Sequence, residues 1–143
     1  MKPFRFRLQR ILDLRVQIRD KARQEVVRLN HERDHAINVL RGLEAEYHSN
    51  GIAEGGTYPA SHLMLSGAYA ERLERAISQQ RGVVVQAIKD AEAAHERYVE
   101  ASREAKALEM LRERKLLEHK ERAQREESSM LDEFAIQRAT RAE

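Results

Sequence analysis

One short stretch of the chain has the residue types and spacing of a catalytic centre. His31-Glu32-Arg33-Asp34-His35 reads H-E-x-x-H, the pattern that presents two imidazoles and a general base to a zinc ion. Histidines four apart share a helix face, so chelation is physically reasonable. The surrounding heptads oppose it. If Arg33 occupies an a position, His31 falls at f and His35 at c, and both point to water. A catalytic zinc also needs a third protein ligand and a walled cavity, which a pair of helices does not supply. His48, His62, His95 and His119 are scattered, and the expectation for them is solvation. No G-x-x-x-x-G-K, G-x-G-x-x-G or G-x-S frame exists, and the absence of Cys removes thiol chemistry. The residues therefore predict a non-enzymatic protein with no metal and no cofactor.

The elements that carry these residues follow from composition. Among 143 residues, 35% are charged and 5% aromatic, with only 6 Gly, 2 Pro and no Trp. A layered enzyme would need more aromatics for its core and more turn residues. Hydrophobic residues at 41% argue against disorder. The balance is that of long helices. Turn residues concentrate at Ser49–Pro59, which separates a helix over about 4–49 from one over about 60–138. Asn50-Gly51 suits a helix C-cap, Ser61 an N-cap, and Pro3 a first helical turn.

Both segments carry a heptad seam. In the first, Phe4, Leu8, Ile11, Arg15, Ile18 and Ala22 lead into Val26, Leu29, Arg33, Ala36, Leu40, Leu43 and Tyr47. Two consecutive steps of four, Ile18 to Ala22 and Ala22 to Val26, read as a stutter. In the second, Leu73, Ile77, Gln80, Val84, Ala87, Ala91, Ala94, Tyr98, Ala101, Ala105 and Leu108 form a narrow, alanine-rich seam. The fold expected is all-α: one domain over residues 1–143, with two long helices in an antiparallel coiled-coil hairpin. Paired residue numbers should sum to about 109, with Phe4 near residue 105 and the chain beyond about 110 overhanging. A break at Gly67 or Gly82 would instead let the termini pair.

Charge and exposed apolar residues suggest where such a hairpin meets partners. Residues 1–24 hold eight Lys or Arg against two Asp, the only strong local imbalance. No nucleic-acid-binding fold accompanies it, so an acidic protein surface is the expected counterpart. Eleven of residues 112–127 are charged, and Met130, Leu131 and Phe134 then form an apolar patch. That patch either closes on the chain or docks a partner helix. No apolar run is long enough for a membrane span, and the N-terminal Phe4-Arg5-Phe6-Arg7 lacks a signal-peptide core. A cytoplasmic protein is expected.

The order of these features resembles the flagellar FliJ family. The likeness rests on the opening Phe4-Arg5-Phe6-Arg7-Leu8-Gln9-Arg10-Ile11-Leu12-Asp13 and on Tyr69-Ala70-Glu71-Arg72-Leu73. Near the far end it rests on Leu108-Glu109-Met110-Leu111-Arg112-Glu113-Arg114, Arg125-Glu126-Glu127 and Leu131-Asp132-Glu133-Phe134-Ala135-Ile136-Gln137-Arg138. Phe134 stands where a smaller apolar residue would be usual. The resemblance implies a stalk-like component of the flagellar type III export apparatus. Such a component binds the hexameric export ATPase, promotes ring assembly, links the ring to the membrane export gate and escorts chaperones. Its expected place is the cytoplasmic face of the inner membrane. The residues expected at the ATPase are Arg5, Arg7, Arg10, Arg112, Arg114, Arg122, Arg125, Asp132 and Glu133. Tyr58 to Leu73 is a candidate for chaperone or gate contact. A generic coiled-coil adaptor or the stalk of a virulence secretion system would share these features.

Overall fold

The computed structural model describes residues 2–50 and 56–142. It contains two long helices packed against each other, α1 (Gln9–Ser49) and α2 (Ala60–Arg141), and no strand among the described residues. The antiparallel helical hairpin expected from the heptads is the fold observed. Contacts divide the chain into two compact units, Met1–Arg19 with Glu100–Glu143, and Asp20–Val99.

In the Asp20–Val99 unit, the seam closes around Leu29, Ala91 and Ala94, with Val26 packed against them. Ala36, Leu73 and Ile77 are also buried. Large side chains of α1 thus meet alanines of α2, so the helices interlock without bulky pairs colliding. Gln80, the one polar residue of the α2 seam, donates from Nε2 to the Ala36 carbonyl at 3.0 Å, so its burial leaves no unmet amide. Near the turn, Tyr47 donates to Glu74 at 2.8 Å, Tyr69 donates to Glu46, and Asn50 Nδ2 donates to the Ser66 carbonyl at 3.3 Å.

In the other unit the buried residues are Leu12, Ala101, Ala105 and Ala123. Arg15 reaches Glu104 and Arg19 reaches Glu109, each pair across the seam and only partly covered. The long arginine stems lie along the seam and their heads stay near water. Pairs of this exposure contribute up to ~1 kcal/mol each, so they adjust register more than they hold the helices together.

Several sequence expectations change. The stutter disappears. Leu12 is 5% exposed, whereas Ile11 and Ile18 are 46% and 40% exposed. The covered positions are Leu8, Leu12, Arg15, Arg19, Ala22 and Val26, an unbroken alternation of fours and threes. The apolar character of Ile11 and Ile18 drew the seam one residue aside, while Arg19 is accommodated by its partner on α2.

The register also moves. Ala36 meets Gln80, not residue 73, and Gln9 meets Arg112, not residue 100. The cause is at the turn: Asn50, just past the end of α1, already pairs with Ser66, so the opening turns of α2 lie beyond that end. Helix α2 starts at Ala60, its first bond running from the Leu63 amide to the Pro59 carbonyl, so Ser61 lies inside the helix and does not cap it. The Asn50 amide still bonds the Glu46 carbonyl, closing α1, but the cap expected at Asn50-Gly51 lies partly outside the described residues. Helix α2 runs unbroken through Gly67 and Gly82.

The start of α1 differs as well. The helix begins at Gln9, not near residue 4, so Pro3 occupies no helical turn. Residues 2–8 precede it without helical structure.

Candidate partner-binding site

The segment Lys2–Leu8 is the organising feature of the Met1–Arg19 and Glu100–Glu143 unit. Its sequence alternates Phe4-Arg5-Phe6-Arg7-Leu8, a period of two, and Pro3 withholds an amide. The segment is not helical, and residues 7 and 8 form a turn into α1. Phe4, Phe6 and Leu8 are half-buried and Arg5 and Arg7 exposed. The Gln9 amide bonds the Phe6 carbonyl at 3.1 Å and the Leu12 amide the Leu8 carbonyl at 2.9 Å, which begins the helix.

The shifted register carries the segment along α2, since Gln9 at its end already meets Arg112. The Phe4 ring sits 5.6 Å from the His119 ring, not near residue 105. The Arg112 guanidinium lies 5.7 Å over the Phe4 ring and donates to Gln9 at 3.0 Å. A contact of this kind contributes about 0.5–1 kcal/mol near water, enough to help fix a short segment. Coverage of α2 accordingly ends at Ala123, which is 7% exposed, and the fully exposed stretch begins there, not at about residue 110.

Two grooves flank the segment. One is lined by Phe4, Arg5, Phe6, Arg7, Gln9, Arg10 and Arg112. The other, of about 920 Å³, runs between Lys2–Leu8 and the α2 residues Leu111, Lys115, Glu118, His119, Arg122, Ala123 and Glu126. Five of the nine residues expected at the ATPase, Arg5, Arg7, Arg10, Arg112 and Arg122, therefore gather around one aromatic segment. Arg125 lines a separate shallow hollow with Glu121, Gln124 and Ser128. Arg114, Asp132 and Glu133 are exposed on α2 and line neither groove. Met130, Leu131 and Phe134 are 60–64% exposed, so the chain itself does not cover that patch. Lys2, Phe6, Lys115 and His119 belong to the grooves but were not expected there. The period-two alternation at 4–8 was the signal that could have found Phe6; Lys115 and His119 carry no such signal.

The arrangement offers cationic heads beside an aromatic floor, chemistry suited to an acidic, partly apolar protein surface. The H-E-x-x-H motif lies elsewhere, in the Asp20–Val99 unit. His31 and His35 are exposed, the Glu32 carboxylate pairs with Arg28 at 2.7 Å, and Arg33 pairs with Asp34 at 3.1 Å. Among the described residues, no group of three or more His, Cys, Asp or Glu could hold a metal ion. At the turn end of that unit, the Tyr58 and His62 rings stack at 5.3 Å. They line a polar hollow with Ser49, Asn50, Leu65, Ser66 and Tyr69, and Leu63, Met64 and Leu65 are 45–76% exposed.

A family model described as the flagellar FliJ protein matches residues 4–143, essentially the whole chain. The chain belongs to the FliJ family. No curated protein and no solved structure matches it. FliJ membership makes it a component of the flagellar type III export apparatus. The FliJ match begins at Phe4, so it includes nearly all of the non-helical segment that builds both grooves. No helix among the described residues is long and apolar enough to cross a membrane.

Proposed function

We propose that this chain is the non-enzymatic, stalk-like coiled coil that engages the hexameric ATPase of the flagellar export apparatus. In this reading it promotes ring assembly and links the ring to the export gate and to substrate chaperones, working at the cytoplasmic face of the inner membrane. The observation that carries the reading is the gathering of Arg5, Arg7, Arg10, Arg112 and Arg122 around Phe4 and Phe6, within a chain of the FliJ family. Cationic heads with small apolar contacts suit a partner that must be held and repositioned, because such charges govern approach and orientation more than residence time. Arg114, Arg125, Asp132 and Glu133, with Met130, Leu131 and Phe134, extend the same contact along α2. The exposed Leu63, Met64 and Leu65 near Tyr58 are the proposed contact for chaperone or gate.

The test is native mass spectrometry of the chain with its cognate ATPase and a non-hydrolysed nucleotide. The expected species is six ATPase chains with one copy of this chain. Reversal of Arg112, Arg114 and Arg122 to Glu should weaken that species at least tenfold, with the loss concentrated in association rate and steepest at low salt. An ATPase hexamer that never carries this chain, or one that binds the triple variant unchanged, rejects the assignment.

A further inference from the structure

Helix α2 continues well past the last residue that the rest of the chain covers. Its covered stripe runs Ala105, Leu108, Arg112, Leu116, His119 and Ala123. At helical spacing the same stripe proceeds to Met130 and Phe134, which stand bare at 60% and 64% exposure. From Glu126 to Phe134 the charge is of one sign. Residues 126–134 carry Glu126, Glu127, Asp132 and Glu133 and no basic residue. The groove just before this stretch has the opposite sign, with Lys2, Arg5, Arg7, Lys115 and Arg122 against Glu118 and Glu126.

Acidic stretch and cationic groove are neighbours on one unbroken helix, so the first cannot fold back over the second without breaking α2. A second copy carries the same two features in the same order. If two α2 helices cross antiparallel with the dyad level with residue 124, on the helix face that carries Lys115, Arg122, Glu126 and Glu133, then Glu126 of one lies opposite Arg122 of the other and Glu133 opposite Lys115. Both halves of the contact are then satisfied at once, as a two-fold interface requires. We propose that two copies of this chain pair through the ends of α2, each laying its acidic, apolar stretch over the cationic groove of the other. This pairing and the proposed ATPase contact use the same surface and so exclude each other; the test contains no ATPase and reads the pairing alone.

The test is sedimentation velocity of the full chain between about 1 and 100 µM, a range that brackets contacts of micromolar strength. It is run at about 0.05 M and about 0.5 M salt, because exposed charge pairs are screened at the higher value. A dimer should grow with concentration and shrink with salt. Phe134→Glu should weaken it at least tenfold with helix content unchanged by circular dichroism. The reversals Glu126→Lys with Glu133→Lys, and Lys115→Glu with Arg122→Glu, should each leave a monomer alone and form a dimer when mixed, since opposite charges then meet at every pairing of Glu126 with Arg122 and of Glu133 with Lys115. A wild-type chain that stays monomeric at 100 µM in low salt overturns the proposal. So does a dimer indifferent to Phe134→Glu and to both reversals, or a mixture of the two reversals that fails to pair.

Discussion

Tyr47 and Tyr69 show how little apolar material the turn end uses to hold its helices together. Each phenol spans from one helix to a carboxylate on the other. The hydrogen bond to Glu74 raises the Tyr47 pKa above its ordinary value, assisted by the negative charge of that carboxylate. Tyr69 is raised chiefly by its bond to Glu46. A phenol protonated more firmly in the folded chain than in the unfolded one stabilises the fold fully below pH ~10. That contribution disappears as pH rises through the folded value. Melting temperature should therefore fall between pH 8 and pH 11. The variant Tyr47→Phe with Tyr69→Phe should melt slightly lower at pH 8 and show a shallower fall. Thermal unfolding followed by circular dichroism at both pH values measures this, and identical slopes for the two proteins would remove the phenols from the explanation. On the acid side, the hydrogen bond from Arg28 holds the Glu25 carboxyl below its ordinary value. Its contribution is present above about pH 4.5 and fades as pH falls.

At the scale of the elements, the deciding contrast is Leu12 against Ile11. Periodicity and apolarity alone select Ile11 and Ile18 and so create a stutter. The structure buries Leu12 and admits Arg19 because α2 supplies Glu109 to its guanidinium. Leu12→Ala should cost about 2–4 kcal/mol by leaving a hole beside α2. Ile11→Ala, at a half-exposed position, should cost about 0.5 kcal/mol. Urea unfolding with unchanged slope would read both, and the reverse ranking would restore the other seam. The two helices, their antiparallel pairing and the α2 seam from Leu73 to Leu108 were legible in the sequence because alanine at 3.5-residue spacing has few other uses. The register was less legible, because it depends on how far α2 extends past α1 at the turn, and no residue pattern encodes that distance. The non-helical Lys2–Leu8 segment was legible in principle, because its alternation has period two, whereas the heptad pattern alone carries the helix back to Phe4.

For the molecule as a whole, family membership was readable from the order of motifs along the chain, whereas the candidate site was readable only in part. Arg5, Arg7 and Arg10 stand out by local charge. Their convergence with Arg112 and Arg122 depends on the helical register and on a non-helical segment meeting α2 more than a hundred residues away in sequence, and Lys115 and His119 join for the same reason. The packing has a thermodynamic consequence too. Among the described residues, six of the ten buried hydrophobic ones are alanine, and no large side chain is wholly enclosed. Unfolding such a seam exposes little apolar surface per residue, so the heat-capacity change should fall below the ~12–15 cal/mol/K per residue of ordinary domains. Stability should then vary slowly with temperature, giving a broad, shallow calorimetric transition and a fold that loses little on cooling. A fold closed by alanines thus keeps nearly the same stability across a wide band of temperature.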